Sequence, residues 1–366
     1  MKKFLIAVIL FAGGVTACQN MAALPDPVAN MATQPGWKPD AGNPIIRAGD
    51  FRKHGLWNDA HVIREAGGYT MYLTTSTPEN PFKPPILPFR ARSADGLKWH
   101  LDPDRPLFDA TGTPFVSAET PSVVYFHGQY HLYYTGVYPQ GAPSPFAIGH
   151  AVSKDGVNWV KDAQPVLRAT GRQQDWNGFL VGEPGAVVLN DEIRVYFSAV
   201  QQLPGGKPAI AQVIGVATSL DGKTFSSPLV ALRAAEPYAG AQGFAGFSTP
   251  FALAHDGVVH LFHDVATYRD GDEPAWQQVA LGHAVSTDAG KTFREDGKPI
   301  FTRGSFDWTA GEILAPAALV EDGRLRLWFS GHLKIQDFGP MIRRGIVGPE
   351  FGIGYAEIAL DALTTQ

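Results

Sequence analysis

Three acidic residues, Asp59, Glu119 and Glu183, stand at nearly equivalent places in consecutive copies of one sequence pattern. Each lies beside a short apolar run, in "WNDAHVI", "AETPSVVYF" and "VGEPGAVVL". Acids that converge on one place repel each other and lose solvation, so one is expected to keep its proton while another stays ionised. A protonated and an ionised carboxyl form the pair that cleaves glycosidic bonds, in which one protonates the leaving oxygen and the other activates water or attacks.

The other copies of the pattern show that its construction does not require these acids. The slot of Asp59 and Glu183 holds Thr249 and Ala315 in two further copies, and Thr120 in the second copy, one step after Glu119. Carboxylates are therefore present where the repeat accepts neutral residues. This predicts that the catalytic residues are Asp59, Glu119 and Glu183, with Glu312 as a fourth acid nearby.

Two other uses of the three acids stay open at this point. They could form a structural ion-pair network with Arg52, Lys53 or Arg64, or they could bind a cation. No cofactor is expected, apart from a structural cation in the channel between the repeats.

Polar and aromatic residues near the acids are candidates for holding a sugar. An indole face can stack on a sugar ring, and imidazole and amide groups can bond its hydroxyls. The alternative for each candidate is an ordinary core or loop position. The predicted substrate-binding residues are Trp57, Asn58, His61, Glu312, His263 and His332.

A five-fold repeat predicts the elements that position these residues. Prolines 44, 106, 165, 228 and 299 each precede apolar residues, at intervals of 62, 59, 63 and 71. Alternating runs such as "GQYHLYYT" and "DEIRVYFS" recur in step, and no stretch has a helical period. The repeat predicts an all-β protein, a five-bladed β-propeller of four-stranded antiparallel blades, and disfavours a pair of β-sandwiches, which would not explain the constant interval.

A second set of acids looks catalytic by number but is predicted to be structural. The turns "SADGLKW", "SKDGVNW", "SLDGKTF" and "STDAGKTF" share a Ser-x-Asp pattern that suits a hairpin turn. They resemble the Asp-box of sialidases. Their aspartates, Asp95, Asp155, Asp221 and Asp288, are therefore left out of the predicted site.

The N-terminus predicts export and attachment to a lipid. Residues 1–17 read as a signal peptide, and "VTAC" at 15–18 resembles a bacterial lipobox in which Cys18 is acylated. Residues 18–41 read as the lipidated cysteine and a flexible tether, and residues 42–366 as the catalytic domain. Gln19 resembles the sorting residue of outer-membrane lipoproteins, so the expected location is the cell envelope, with outer-membrane lipid as a partner.

Composition narrows the remaining partners. Of the 366 residues, 45% are hydrophobic and 18% charged, the formal net charge is -5, and no basic tract stands out, which argues against nucleic acid. Cys18 is the only cysteine, so no disulfide is expected within the chain. A carbohydrate substrate and a monomeric state are predicted.

The stretches "WNDAHVI", "AETPSVVYFHGQYHLYYTG" and "VGEPGAVVLNDEIRVYFS" resemble the inner strands of five-bladed propeller glycoside hydrolases. These are family 43 and its relatives in families 32, 62, 68, 117 and 130. The resemblance implies that Asp59 is the base, Glu183 the acid and Glu119 the residue that tunes them, with inversion at the anomeric carbon. It also implies that His332 could lie near a channel cation.

The chain departs from the family pattern at two places. Ala60 replaces the usual proline after the first acid, and Glu119 is displaced by one position from the expected slot, which Thr120 fills. Two alternatives follow: a surface glycan-binding propeller without catalysis, and a phosphorylase similar to family 130. The latter would need a phosphate cradle, for which Arg343 and Arg344 are the candidates.

Overall fold

The computed structural model describes residues 26–28, 30–47, 49–51, 58–76, 85–206, 209–234, 238, 240–269, 275–332 and 351–364. These residues confirm the all-β prediction, because strands account for nearly all of the regular structure. The exceptions are a 3-10 turn, Asp307–Thr309, and one short helix, α1, Leu360–Thr364.

Five antiparallel meanders of three long strands follow one another along the chain, and short strands lie at their outer edges. Meander 1 comprises β2 (Asn58–Glu65), β3 (Gly68–Ser76) and β4 (Ile86–Ser93), with β5 (His100–Leu101) outside. Meander 2 comprises β6 (Ser117–Phe126), β7 (Gln129–Val137) and β8 (Phe146–Ser153), with β9 (Val160–Lys161) and β10 (Leu167–Arg168) outside.

The remaining meanders repeat this order. Meander 3 has β11 (Leu180–Leu189), β12 (Glu192–Gln202), β13 (Ile210–Ser219) and an outer β14 (Leu229–Leu232). Meander 4 has β15 (Phe244–His255), β16 (Val258–Arg269), β17 (Ala275–Ser286) and the outer β18 (Arg294–Glu295) and β19 (Phe301–Thr302). Meander 5 has β20 (Glu312–Glu321), β21 (Arg324–His332) and β22 (Gly352–Ala359).

The outer edge of meander 5 comes from the start of the chain. β1 (Lys38–Pro39) pairs antiparallel with β22, and Ile46 bridges Ile353. The first copy of the proline motif, at Pro44, therefore lies at the edge of the last meander. Each later copy follows the meander whose edge it completes, as β10, β14 and β19 do.

This packing differs from the tether predicted for residues 18–41. Val28 is buried against meanders 3 and 4, Asp26 pairs with Arg303 at 2.8 Å, and the backbone N–H of Gln34 bonds Pro299 O at 2.8 Å. Trp37 packs into the core of meander 5. These anchors are single residues in an Ala- and Pro-rich stretch without periodicity, which gave the sequence no strand or helix signal.

The first strands of the meanders pack side by side. Strand β2 contacts β6, β6 contacts β11, β11 contacts β15, β15 contacts β20, and β20 contacts β2. The approach of β11 to β15 requires glycine at 185, since a Cβ there would lie 2.0 Å from Pro250 O. The acids predicted for the site lie at the start of three of these strands.

The serine–aspartate turns join neighbouring meanders, which confirms their predicted structural role. In the first, Asp95 Oδ1 accepts bonds from the backbone N–H groups of Leu97 and Lys98, both at 2.8 Å. The adjacent glycine carbonyl accepts a hydrogen bond from an aromatic side chain of the preceding meander. These pairs are Trp328–Gly96, Tyr72–Gly156, Tyr133–Gly222 and Tyr196–Gly290.

Among the described residues, meander 5 has no serine–aspartate turn that could accept such a bond from meander 4. The matching aromatic position in meander 4 is Phe262, whose side chain has no hydrogen-bond donor and needs no acceptor. The aromatic positions are fully buried, so hydroxyl and carbonyl satisfy each other inside the protein. Within the described residues, no helix has the length and apolar character needed to cross a membrane.

We predict that Tyr133→Phe lowers the free energy of unfolding by about 1–2 kcal/mol, because Gly222 O then loses its buried donor. Urea denaturation measures the change. Tyr125→Phe is the control, since 59% of Tyr125 is exposed, and it should leave the unfolding midpoint unchanged. Equal effects from the two variants would contradict the assigned role of the Tyr133 bond.

Candidate active site

A β-bulge interrupts the first strand of every meander at the slot identified from the sequence. The pairing register shifts there in all five, for example between Asn58 and His61. The residue at the bulge has a left-handed backbone, which is costly for non-glycine residues and recurs at functional sites. These residues are Asp59 (φ 55°), Thr120 (φ 48°), Glu183 (φ 52°), Thr249 (φ 44°) and Ala315 (φ 53°).

The backbone N–H of each bulge residue donates to a side chain of the preceding meander. The accepting residue lies on the second strand, opposite the residue that precedes the bulge in its own meander. The bonds are Thr120–Thr74 at 2.8 Å, Glu183–Thr135 at 2.7 Å, Thr249–Ser198 at 2.9 Å, Ala315–Asp264 at 2.9 Å and Asp59–Ser330 at 3.2 Å. We call these five acceptors the cap residues.

The five bulges converge on one small cavity. It is lined by Asp59, Ala60, His61, Thr120, Pro121, Pro184, Thr249, Phe251, Ala315 and Pro316. Every meander contributes to this lining, so the structure brings residues 59, 120, 184, 249 and 315 to one place, as the internal alignment predicts.

Asp59 is a partly buried carboxyl with an altered proton affinity. Burial, together with the charge of Glu183, raises its pKa from 3.8 to about 7, against hydrogen bonds from the Thr74 side chain and the Thr120 backbone. Near neutral pH this carboxyl can therefore exchange a proton, which is the requirement for a general acid or base.

Glu119 holds its proton more firmly than Asp59 does. Burial raises its pKa from 4.5 to about 8, and the charges of Asp59 and Glu183 add to the effect. Its Oε1 atom is buried and has no hydrogen-bond partner among the described residues. At pH 7 a protonated Glu119 can donate a hydrogen bond to a neighbouring carboxylate.

Glu183 is buried to a similar degree, but unlike Glu119 its carboxylate has hydrogen-bond donors. Its Oε2 accepts hydrogen bonds from Ser198 Oγ and, at 3.2 Å, from the backbone N–H of Thr249. Burial raises its pKa, while these two donors work in the opposite direction. Asp59, Glu119 and Glu183 thus form one electrostatically coupled group.

Asp264 is a fourth acid of this group that the sequence analysis left out of the predicted site. It is fully buried, and burial raises its pKa well above the usual range, with the charges of Glu183 and Asp59 contributing. The signal was available: the cap position holds Thr74, Thr135, Ser198 and Ser330 elsewhere, and only Asp264 carries a charge-bearing group. The alternating pattern of the strand is defined by its apolar residues, so the pattern alone does not single out Asp264.

His61 lines the cavity but its ring nitrogens are engaged. Nε2 bonds Val123 O at 2.9 Å and Nδ1 lies 3.3 Å from Ser122 Oγ, so the ring links meander 1 to meander 2. Burial lowers its pKa to about 4, which keeps the ring neutral. The part of His61 that can contact a ligand is therefore the surface of its ring, which also contacts Phe251.

The histidines predicted from meanders 4 and 5 lie in two carboxylate pairs. His263 Nε2 lies 2.6 Å from Glu295 Oε2 at the outer strand β18, so the structure directs it away from the four acids. His332 Nε2 lies 2.6 Å from Glu312 Oε2, and Glu312 Oε1 accepts a bond from the backbone N–H of Gln278. Glu312 and His332 thus bind each other at the start of meander 5, in register across β20 and β21.

Asn58 directly precedes the bulge, and its Oδ1 is buried without a partner among the described residues. This oxygen is available to a hydroxyl donor at the edge of the acid group. Six residues named in the sequence analysis lie outside the described residues: Trp57, Arg52, Lys53, Arg343, Arg344 and Cys18. In the part of the chain that the structure describes, no group of three His, Cys, Asp or Glu residues is arranged to hold a metal ion.

Comparison with known proteins supports the predicted resemblance. Residues 119–238, which include Glu119 and Glu183, match the glycosyl hydrolases family 32 N-terminal domain. A glycoside hydrolase structure aligns with a TM-score of 0.65 at 14% identity, covering 89% of this chain and 92% of that chain. A thermostable family-43 glycoside hydrolase aligns with a TM-score of 0.59 at 15% identity, covering 84% and 91%. The chain resembles the propeller glycoside hydrolases.

Two curated relatives carry the same name, sucrose-6-phosphate hydrolase. The relative from Zymomonas mobilis subsp. mobilis is 34% identical over 116 residues, which is 31% of this chain and 22% of the relative. The relative from Escherichia coli is 27% identical over 210 residues, which is 56% of this chain and 36% of the relative. The chain therefore spans about a third or less of the curated relatives it matches.

The raised pKa of Glu119 predicts a stability that falls with rising pH. Below about pH 4.5 this group is neutral in both states, and as the pH rises towards 8 the unfolded chain gains a charge that the folded site resists. Glu119→Gln should therefore be more stable than wild type at pH 9, by at least about 1 kcal/mol, and nearly equal to it at pH 4.5. Thermal unfolding at both pH values measures this.

Glu321→Gln is the control of opposite sign. The hydrogen bond from Tyr69 lowers the pKa of Glu321, so its carboxylate stabilises the folded state above its ordinary pKa. That variant should be less stable than wild type at pH 9. A Glu119→Gln variant without a pH-dependent gain would contradict the coupled group of acids.

Proposed function

We propose that the protein is a glycoside hydrolase whose catalytic residues are Asp59, Glu119 and Glu183. The observation that carries this proposal is the coupled group of partly buried carboxyls beside the cavity where all five meanders meet, with Asp59 in its lining. The match of residues 119–238 to the family 32 domain supports it, because that range holds two of the three acids.

The proposed roles follow from the surroundings of each acid. Asp59, with a pKa near 7, ionises close to neutral pH and serves as the base that takes a proton from water. The family resemblance assigns to Glu183 the role of the acid that protonates the leaving oxygen, and burial raises its pKa in the direction which that role needs. Glu119 stays protonated at neutral pH and tunes the pair through the electrostatic coupling of the three acids. An inverting reaction is the proposed outcome.

We also propose that the five meanders are the blades of a closed five-bladed propeller. The cyclic contacts of the first strands and the bond from the Asp59 N–H to Ser330 of meander 5 support closure. The pairing of β1 with β22 supplies an outer strand to the last blade from the other end of the chain. Such an arrangement would place the acids at one mouth of the central channel.

We infer that the substrate is a poly- or oligosaccharide, and that its bond type has to be found by screening. The curated relatives are named for sucrose 6-phosphate, so sucrose and its 6-phosphate enter the screen with fructo-, arabino-, xylo- and galacto-oligosaccharides. Screening with and without inorganic phosphate separates hydrolysis from phosphorolysis.

We predict that Asp59→Asn and Glu183→Gln each lower kcat/KM by about 10² to 10⁴, because each removes a proton-transfer group. Activity of the wild type should fall as the pH drops below about 7, where Asp59 becomes protonated. Proton NMR of the first-formed anomer tests inversion. Asp191→Asn, which removes a carboxylate whose side chain is 85% exposed, is the matched control and should keep full activity.

Two results would overturn this assignment. One is full turnover by either variant on a substrate that the wild type cleaves. The other is binding of a glycan, measured by calorimetry, without cleavage by the wild type and without loss of binding in the variants, which would identify a non-catalytic glycan-binding protein.

We further propose that Cys18 carries a lipid and attaches the protein to the outer membrane. The described part of the chain begins at Asp26, eight positions after Cys18, and eight residues span at most about 30 Å. The monomeric body would then lie close to the membrane rather than at the end of a long tether.

We predict that Cys18→Ser moves the protein from the membrane fraction to the soluble fraction of a bacterial host with an outer membrane, because one thiol is the whole attachment site. Fractionation and immunoblotting measure the distribution. The Asp191→Asn variant should fractionate like the wild type. Membrane association that survives Cys18→Ser would contradict lipid attachment at this residue.

A further inference from the structure

Ser198 makes two hydrogen bonds that join meanders 3 and 4 at the site. It lies on β12, opposite Gly182, the residue before the bulge at Glu183. As the cap residue of meander 3, its Oγ accepts the backbone N–H of Thr249 at 2.9 Å. The same Oγ donates to Oε2 of Glu183. Ser198 therefore contacts both the bulge of the next meander and the acid of its own meander.

The two bonds fix the direction of the serine hydroxyl. A hydroxyl has one proton to donate and two lone pairs that accept. The Thr249 N–H can only donate and an ionised Glu183 can only accept, so the proton of Ser198 points to Glu183. Ser198 is only 1% exposed, so bulk water does not compete for this proton.

Meander 2 shows that the arrangement belongs to the repeat. There the Thr135 hydroxyl accepts the N–H of Glu183 at 2.7 Å and also bonds the hydroxyl of Thr120, the bulge residue of the same meander. In meander 3 the bulge residue is an acid, so the cap hydroxyl meets a carboxyl group. A charged acceptor makes this hydrogen bond stronger than one between two neutral hydroxyls. The repeat thus supplies a donor at the place that the acid occupies.

Both hydrogen bonds that the described residues give to the Glu183 carboxyl end on one oxygen. Oε2 accepts from Ser198 Oγ and, at 3.2 Å, from the backbone N–H of Thr249. A proton placed on Oε2 would compete with these donors, and a buried donor without an acceptor is costly. A proton placed on Oε1 leaves both bonds intact.

We propose that Ser198 is a positioning residue for Glu183: its hydroxyl holds Oε2, and the proton that Glu183 exchanges is carried on Oε1. The carboxyl group is thus fixed at one oxygen and reacts through the other. This inference rests on the proposed function for its catalytic meaning. There, Oε1 gives its proton to the leaving oxygen as the bond from that oxygen to the sugar carbon breaks, and the carboxylate that remains is stabilised by Ser198 and Thr249.

The proton affinity of Glu183 agrees with this assignment. Burial raises the pKa of Glu183, and the bond from Ser198 is the largest effect in the opposite direction, followed by the backbone and the side chain of Thr249. Loss of the Ser198 hydroxyl should therefore raise this pKa further. This consequence can be measured without a substrate.

Three other acids influence the same titration. Asp59, Glu119 and Asp264 are coupled to Glu183 through their charges. All three stay in place when Ser198 is substituted. A difference between the wild type and a Ser198 variant therefore reports the hydroxyl.

Two substitutions separate the hydroxyl from the shape of the side chain. Ser198→Ala removes the donor, but the Thr249 N–H keeps an acceptor in Glu183 Oε2, so the variant should fold. Ser198→Thr keeps the hydroxyl, and threonine occupies the cap position in meanders 1 and 2. Tyr133→Phe, which weakens a bond between meanders 2 and 3, controls for loss of stability without a change at the site.

The titration of Glu183 is followed by carboxyl ¹³C NMR of protein labelled at glutamate, with the resonance assigned by its loss in Glu183→Gln. We expect the midpoint to rise by about one pH unit in Ser198→Ala, because the carboxylate loses a donor. It should stay in place in Ser198→Thr and in Tyr133→Phe. An unmoved midpoint in Ser198→Ala overturns the proposal, and so does an equal rise in Ser198→Thr, since the hydroxyl would then not be the cause.

Infrared difference spectra locate the proton. Below the midpoint the neutral carboxyl has one C=O oxygen, and hydrogen bonds to that oxygen lower its stretching frequency. If the proton is on Oε1, the C=O oxygen is Oε2, and Ser198→Ala should move the band to higher frequency. The band is assigned by its loss in Glu183→Gln. A band that does not move places the proton on Oε2 and contradicts the proposal.

Kinetics on a cleaved substrate test the catalytic meaning. Ser198→Ala should lower kcat by about 10- to 100-fold with a smaller change in KM, because the acid is no longer held in its reacting orientation. Ser198→Thr should recover most of this loss. Full kcat in Ser198→Ala would show that the bond does not position the acid. Absence of activity in the wild type would count against the proposed function, and the NMR and infrared results would still decide the role of Ser198.

Discussion

The hydrogen bond from each bulge N–H to a cap residue is the interaction on which the site depends. A β-bulge removes one N–H from the strand ladder, and inside the protein that donor must find another acceptor. The acceptor comes from the preceding meander, so one bond both satisfies the backbone and fixes two meanders relative to each other. Four of the five residues held in this way line the common cavity, and Glu183 occupies the fifth position, next to Pro184 in the lining. Asp59 and Glu183 occupy such positions, and the Asp59 bond links the first meander to the last.

The same geometry concentrates features that do not favour folding. The five bulge residues, none of them glycine, adopt left-handed backbone angles, and four coupled carboxyls lie at least partly out of water. Strain and buried like charges of this kind persist where the surrounding packing overdetermines them. Here the surroundings are the aromatic bonds between meanders, such as Tyr133 to Gly222, and the N-terminal segment that pairs with β22. The periphery thus stabilises a centre that is costly by itself.

Asp264 shows how a repeat acquires a special residue without losing its construction. The cap position requires an acceptor, and serine, threonine and aspartate all provide one. Aspartate therefore replaces a hydroxyl without breaking the bond to Ala315, and it adds an ionisable group to the site. Glu119 follows a different route, since it lies one position before the bulge and leaves Thr120 to occupy the slot. Carboxyls thus enter the coupled group of acids from three distinct positions of the repeat.

The sequence by itself determined the all-β class, the five-fold repeat, the structural role of the serine–aspartate turns and the slot shared by Asp59, Glu183 and their counterparts. These features are local and periodic, so they can be read without a partner strand. Only the tertiary structure decided which side chains meet: that His263 binds Glu295, that Glu312 binds His332, that Val28 and Trp37 pack onto the body, and that Asp264 joins the acids. Each of these depends on contacts between segments distant in the chain, and of the four only the aspartate at the cap position of meander 4 is a visible departure from the repeat.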